Sequence, residues 1–558
     1  MNVKKKVLPI GEDDFRIIRK SGDYYVDKTL MIKDFISYKN RVSLITRPRR
    51  FGKTLNMTML RDFFDVEQKS HEIFRDLAIM DTEYAKMINT IPVIHLSFKG
   101  CSGESVDDLK DAMACELLRE YERFARTFKG IVDVEAFEYE SFYEIYENLK
   151  NALKARPIDN RDVSLVDTGL FKRSLSELTK AVSAFYAKPI VLIDEYDNPV
   201  IEAHQGGFRE EFTSCYASFL TNALKGNPHL GQALLMGIQR VAKESIFSKL
   251  NNIAVYNVLS KEYATYFGLT EAETSNLLEY YDLELNGEVK SYYDGYNFAE
   301  IDVYNPWSII NYATRKILQS YWLNTSTNAL IHEVVEIASH DFYEEFEQLI
   351  QDGEVSVQVN LEASFAELPE TQTLWGLFVN AGYLTVTRID YEFGMLTLRI
   401  PNKEITGEFK KLVARYTNLS NGRLQKMLIA LTHGKMAEFL KIYKDIILEA
   451  TSYHDAKENA YHMLMLGMTM NIGHLYNITS NRETGHGRAD LILESKEAKR
   501  PHIIIEFKQG TDVEALKEEA LLQIKKKQYY AELTGDVLCI GVAHDKKRCE
   551  ISHRLISV

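Results

Sequence analysis

No apolar run in this chain approaches the roughly 18 residues needed to span a bilayer, and the opening stretch "MNVKKKVLPIGEDDF" is basic without the apolar core of a signal peptide. Those two absences argue against a membrane-spanning protein and a secreted one, so the expected location is the cytoplasm. Cysteine is scarce. The five residues Cys101, Cys115, Cys215, Cys539 and Cys549 are scattered with no C-x-x-C pair, which excludes a disulfide framework and offers no zinc spacing. Basic charge is short as well: a net charge of -13 argues against a protein that coats nucleic acid by its overall field. The deficit is uneven, however. Residues 421–558 hold 20 Lys/Arg against 18 Asp/Glu, so a polyanion-binding surface is expected in the C-terminal part.

What is present is enough apolar material, 45% of 558 residues, to bury several cores. Up to residue 258, short apolar runs ("RVSLITR", "IPVIHLSF", "KPIVLIDEYD", "GQALLMGI") alternate with segments of helical period, the pattern of an α/β domain with a parallel sheet. Residues 259–350 read as a mostly helical, aromatic-rich region. Residues 351–420 read as helix, two alternating strands around a polar turn, and another helix, the order of a winged-helix-like unit. Residues 421–558 read as leading helices followed by a second, smaller α/β fold.

The segment "SLITRPRRFGKTLNM" ends in the Gly-Lys-Thr of a phosphate-binding loop, with Arg47 in the slot of the first glycine of G-x-x-x-x-G-K-[ST]. Such a loop binds because backbone N–H groups at a strand-to-helix turn, a helix N-terminus, a lysine and a metal-binding Ser/Thr converge on phosphate oxygens. Gly52, Lys53 and Thr54 sit at that junction. Arg47 bears a Cβ, so the turn must be made another way. Pro48 sets the residue before it extended, which leaves Arg47 to anchor the loop on an acidic partner while Arg49 and Arg50 meet phosphate. Arg49 and Arg50 could instead pair with the protein's own acids. Downstream, "PIVLIDEYD" reads as a buried strand delivering Asp194, a Mg²⁺ ligand beside Thr54, and Glu195, which would polarise the attacking water. The same pattern also fits a strand end followed by a solvated acidic turn. Arg240, at the end of "ALLMGIQRV", is a candidate γ-phosphate sensor or an ordinary salt-bridged arginine.

Near the C-terminus, Asp490 opens the strand "DLILES", and Glu506 and Lys508 lie one residue apart on "HIIIEFK". Strand periodicity puts Glu506 and Lys508 on one face and Phe507 on the other; a hairpin would bring Asp490 to the first face. Two carboxylates, Asp490 and Glu506, with a carbonyl suit Mg²⁺, and the lysine suits the hydrolytic water. Charge ending an apolar run is costly without a purpose. Glu458, four residues before His462, is a candidate for a second metal or a proton relay, or is merely exposed. Gln523 and Tyr529, with Lys525, Lys526 and Lys527, are candidates to face the phosphate backbone; the lysine run also fits a solvated helix face.

Taken together, "LITRPRRFGKTLNMTMLRDFF", "IVLIDEYDNPV", "RVAKESIFSKLNN", "YYDGYNF" with "VYNPWSIINY", "AGYLT", "RIPNKE" and "GRADLILE…IIIEFK" resemble the bacterial AAA-ATPase-like family with a C-terminal PD-(D/E)XK nuclease domain. In that family Arg-Pro-Arg-Arg-Phe-Gly-Lys-[ST] is the usual loop. The resemblance implies an N-terminal AAA-like P-loop domain binding ATP, a lid, and a Mg²⁺-dependent nuclease acting on nucleic acid, DNA ahead of RNA. AAA-type sites often borrow an arginine from a neighbouring subunit, which leaves a homo-oligomer open. Phage defence and mobile-element biology are the settings weighed. Two classes of function stand against each other: a nuclease gated by nucleotide, and a non-catalytic nucleotide-responsive switch or DNA-binding scaffold.

Overall fold

The computed structural model describes residues 5–130, 136–155, 164–240, 253–322, 340–362, 370–406, 421–449, 461, 465, 468–469, 472–473, 475–484, 487–546 and 548–558. Glu458, His462 and most of "RVAKESIFSKLNN" lie outside the described residues. The chain forms two compact units, one of residues 1–323 with 358–389, the other of residues 324–357 with 390–558.

The first unit is built on five parallel strands: β1 (Val42–Thr46), β2 (Val93–Ser97), β3 (Ile190–Asp194), β4 (Gln232–Gly237) and β5 (Ile253–Tyr256), in the order β2-β3-β4-β1-β5. Parallel strands are covered on both faces, which is why β1 and β3 read as continuous apolar runs and are buried at every position. One face packs on helices α2 (Val106–Phe128), α3 (Thr168–Phe185) and α4 (Arg209–Leu224), while α1 (Lys53–Phe64) follows β1 directly. The register sets Thr46 beside Gly237 and Ile193 beside Leu235. The loop after β1 and the acids after β3 therefore leave the sheet at one edge, on either side of β4.

Two later helices of this unit matter for that edge. Helix α5 (Pro306–Arg315) starts where the Asn305 side chain accepts hydrogen bonds from the backbone N–H of Trp307 (2.9 Å) and Ser308 (3.3 Å), with proline in its first turn. Helix α6 (Thr371–Ala381) stops at Gly382, whose φ of 86° is a left-handed cap.

In the second unit the strands Glu354–Val357 and Met395–Arg399 pair antiparallel. Beyond helices α7 (Asn421–Thr432) and α8 (Met436–Glu449) stands a five-stranded mixed sheet in chain order: β6 (Tyr476–Thr484), β7 (Gly487–Ser495), β8 (His502–Gln509), β9 (Asp536–Asp545) and β10 (Arg548–Ser557). Strands β8 and β9 are parallel, joined through helix α9 (Val513–Lys527); the other pairs are antiparallel. Alternation along β8 sends Ile503, Ile505 and Phe507 into the core shared with α7 and α8, and Ile504 into the core under α9.

Candidate nucleotide and nuclease sites

At the edge of the first sheet, Thr54 in the first turn of α1 donates its hydroxyl to Asp194 Oδ2 at 2.7 Å. The P-loop threonine and the strand-end acid thus meet across the tip of β4. Burial pushes Asp194 up to about 6, against the hydrogen bond from Thr54. Glu195 follows in the left-handed region (φ 48°), its N–H donating to Asp194 Oδ1 at 3.0 Å. Lys53 is buried, and its ammonium donates to the carbonyls of Arg47 (3.0 Å) and Pro48 (2.9 Å). Burial lowers its pKa; the neighbouring charges of Glu195, Asp197 and Asp194 act against that, and Arg49 adds to it.

The loop itself is held by side chains, and this is how a turn without the first glycine is made. Positive φ falls on Arg50 (67°) and Gly52 (84°), not on Arg47. Arg47 is 0% exposed: its Nη1 donates to the carbonyls of Thr46 (2.8 Å) and Tyr256 (3.2 Å), and its guanidinium lies over the rings of Phe267 (5.3 Å) and Phe298 (5.2 Å). The expected acidic partner is replaced, among the described residues, by carbonyl dipoles and aromatic faces. Pro48 packs so closely on Gly382 that a Cβ there would lie 3.0 Å from the proline Cβ. Phe51 sits against Tyr296 and Phe298, with its carbonyl accepting from the Gly268 N–H at 3.2 Å. Arg50 lies 3.9 Å over the Trp307 ring.

Arg240 is ion-paired with Glu362. Sequence reasoning passed over Asp197, the last acid of "IDEYD": buried, it accepts the backbone N–H of Ile238 (2.8 Å) and Gln239 (2.9 Å) through Oδ2, while the Tyr196 hydroxyl donates to the Gln239 carbonyl at 2.6 Å. These two residues fix the end of β4 between the P-loop and the acids. The second aspartate so soon after Asp194 was the signal available.

In the second unit, β7 begins at Gly487, three residues before Asp490, and pairs with β8 so that Leu491 faces Ile505. The next step of that ladder sets Asp490 beside Glu506, the hairpin the spacing required. Asp490 Oδ2 accepts the Phe507 N–H at 2.7 Å, and the Asp490 N–H lies 3.4 Å from Glu506 Oε2. Lys508 Nζ stands 3.3 Å from Glu506 Oε1, which also accepts a hydrogen bond from Gln523 on α9. Gln523 in turn donates to the Tyr529 hydroxyl at 3.1 Å. Glu506 is 1% exposed, and burial, then the charge of Asp490, pushes it up to about 7 against the pull of Lys508. Lys525, Lys526 and Lys527 are exposed; the Lys527 stem would lie 3.1 Å from a Cβ at Gly487 and so leans over the start of β7.

Adjacent hard-oxygen donors, one of them buried at a cost that a cation would remove, fit a divalent metal. Among the described residues no group of three His, Cys, Asp or Glu is placed to hold one.

Residues 9–247 match the family described as Predicted AAA-ATPase, and residues 456–554 the PD-(D/E)XK nuclease superfamily. A relative 26% identical over 424 residues, 74% of this chain and 71% of its own, is an uncharacterized protein in the vnfD 5' region of Azotobacter chroococcum mcd 1. The chain therefore joins a domain of the predicted AAA-ATPase family to a domain of the PD-(D/E)XK nuclease superfamily.

Proposed function

We propose that this protein is a Mg²⁺-dependent nuclease cleaving nucleic acid phosphodiesters, with DNA the expected substrate ahead of RNA, gated by ATP binding or hydrolysis in the N-terminal domain. The observation that carries the reading is the buried Glu506 carboxylate, held among Asp490, Lys508 and Gln523 at the end of an otherwise apolar strand. Such a cluster is a poor stabiliser, since burying a carboxylate beside another costs several kcal/mol, roughly, before any compensation. Its presence is explained by chemistry rather than by folding. The same charges disfavour a scaffold without catalysis.

Asp490 and Glu506, with a backbone carbonyl, would hold the cation, which when bound supplies a Lewis acid for the charge developing on the scissile phosphate. Lys508, an ammonium beside Glu506, orients the hydrolytic water and stabilises the negative charge that develops as it attacks. Gln523 fixes the rotamer of Glu506 and is itself braced by Tyr529. In the N-terminal domain, Lys53 and the N–H groups at the start of α1 meet phosphate oxygens, Arg49 adds charge, and Thr54 with Asp194 provides the place for a nucleotide-bound Mg²⁺.

The test is to incubate the purified protein with DNA, with and without Mg²⁺ or Mn²⁺. Cleavage is expected only with the cation and should be lost in Asp490→Ala and in Lys508→Ala. Cleavage that persists in either variant would rule out this site.

A further inference from the structure

The side chains of Arg47, Arg50 and Phe51 engage the aromatic-rich part of the first unit and Pro48 packs on Gly382, but they do so differently. Arg47, Pro48 and Phe51 are buried and act as fasteners. Arg50 is only half-buried, stands two residues before Gly52, and is held in the left-handed backbone region. A non-glycine residue there is strained, and the strain persists only where the surroundings hold it.

Trp307 is the ring on which the Arg50 guanidinium rests. Its main chain is held where the backbone N–H donates to the Asn305 side chain at 2.9 Å, and its ring is fixed by Nε1, which donates to the Tyr321 carbonyl at 2.8 Å. The guanidinium 3.9 Å above it makes the closest cation–ring contact among the described residues. A stacked guanidinium is gripped by its flat face, which sets the direction of its in-plane N–H fork, the edge that pairs with phosphate.

We propose that Trp307 is a positioning residue of the nucleotide site: it aims the Arg50 guanidinium so that its N–H edge meets the phosphates of ATP. The assignment rests on the reading of this loop as a nucleotide site. It also makes the start of α5 sensitive to phosphate. Lys53 must exchange the carbonyls of Arg47 and Pro48 for phosphate oxygens, and any shift of the loop that follows is felt at the ring.

The experiment measures ATP binding to the full-length protein by equilibrium dialysis in the presence of Mg²⁺. The proteins compared are wild type, Trp307→Leu, Trp307→Phe, Arg50→Ala and the double variant Arg50→Ala with Trp307→Leu. Trp307→Leu should weaken binding by about tenfold, the scale of a partly desolvated cation–ring contact. Trp307→Phe, which keeps an aromatic face, should stay within about threefold of wild type. In the Arg50→Ala background the leucine substitution should add no further loss. Wild-type affinity in Trp307→Leu, or the same tenfold loss without Arg50, overturns the assignment and leaves the nucleotide site standing. No ATP binding by the wild type sinks the nucleotide reading itself, and the assignment with it. If Trp307→Leu does not fold, tryptophan emission decides: ATP should change the emission of wild type and not of Trp307→Phe, and equal changes in both overturn the proposal.

Discussion

Replacing Arg47 by alanine removes a side chain that is 0% exposed and ties the P-loop to both β5 and the aromatic residues around Phe298. Two hydrogen bonds from a charged donor, about 1.5–3 kcal/mol each, and contacts with two rings, about 1 kcal/mol together, are lost. Against that stands the relief of a buried cation with no carboxylate partner among the described residues, about several kcal/mol. The net should resemble other large-to-small changes in a packed interior, about 2–4 kcal/mol. Spread over a unit of about 350 residues, that lowers the melting temperature by about 3–5 °C. Arg47→Met fills the space without the charge, so it should recover at least about half of that loss. The assay is a thermal melt of the full-length protein without nucleotide, paired with an ATP-binding measurement. If Arg47→Ala melts like wild type while ATP binding disappears, Arg47 meets phosphate and does not fix the loop.

Lys53→Ala should weaken ATP binding at least about tenfold, because backbone dipoles alone satisfy phosphate charge only partly; equal affinity by dialysis would place the nucleotide elsewhere. Arg49→Ala should lower ATP affinity with the melting temperature unchanged within about 1 °C, and a large loss of stability would make it a fastener like Arg47. Glu506 gives a pH signature. Its folded pKa of about 7 lies above the ordinary 4.5, so the stability gained by holding the neutral acid is complete below pH 4.5 and is lost as pH rises through 7. The loss is at most about 3 kcal/mol. Urea unfolding of wild type and Glu506→Gln at pH 5 and pH 8, without divalent cation, should show the wild type losing more stability across that range than the variant, in which Asp194 still titrates; parallel curves would contradict the buried, coupled carboxylate.

The sheets show where sequence patterns can be read and where they fail. Strands β1, β3 and β4 announce themselves because both their faces are buried, which leaves near-continuous apolar runs. Strands β5, β6 and β10 do not: each lies at a sheet edge, and "YNITSNRET" and "RCEISHRLIS" carry the mixed composition that an edge permits. In the nuclease domain, period-two spacing along β8 and a single hairpin were enough to bring Asp490, Glu506 and Lys508 together, since the chain between them is short. The roles of Asp197 and Tyr196 depended on the packing of β3 against β4, strands some forty residues apart in the chain, and stayed hidden in an acidic run that looked like a turn.

By itself the sequence determined the order of the two α/β domains, the strand-loop-helix junction at Lys53 and Thr54, and the shared face of Glu506 and Lys508. The last two are set by residues within a few positions of one another, where strand and helix periods dictate geometry. Only the tertiary structure decided what replaces the first glycine of the P-loop. The answer lies in Phe267, Phe298, Trp307 and Gly382, more than two hundred residues downstream, and no local rule says which aromatic faces a buried guanidinium will find.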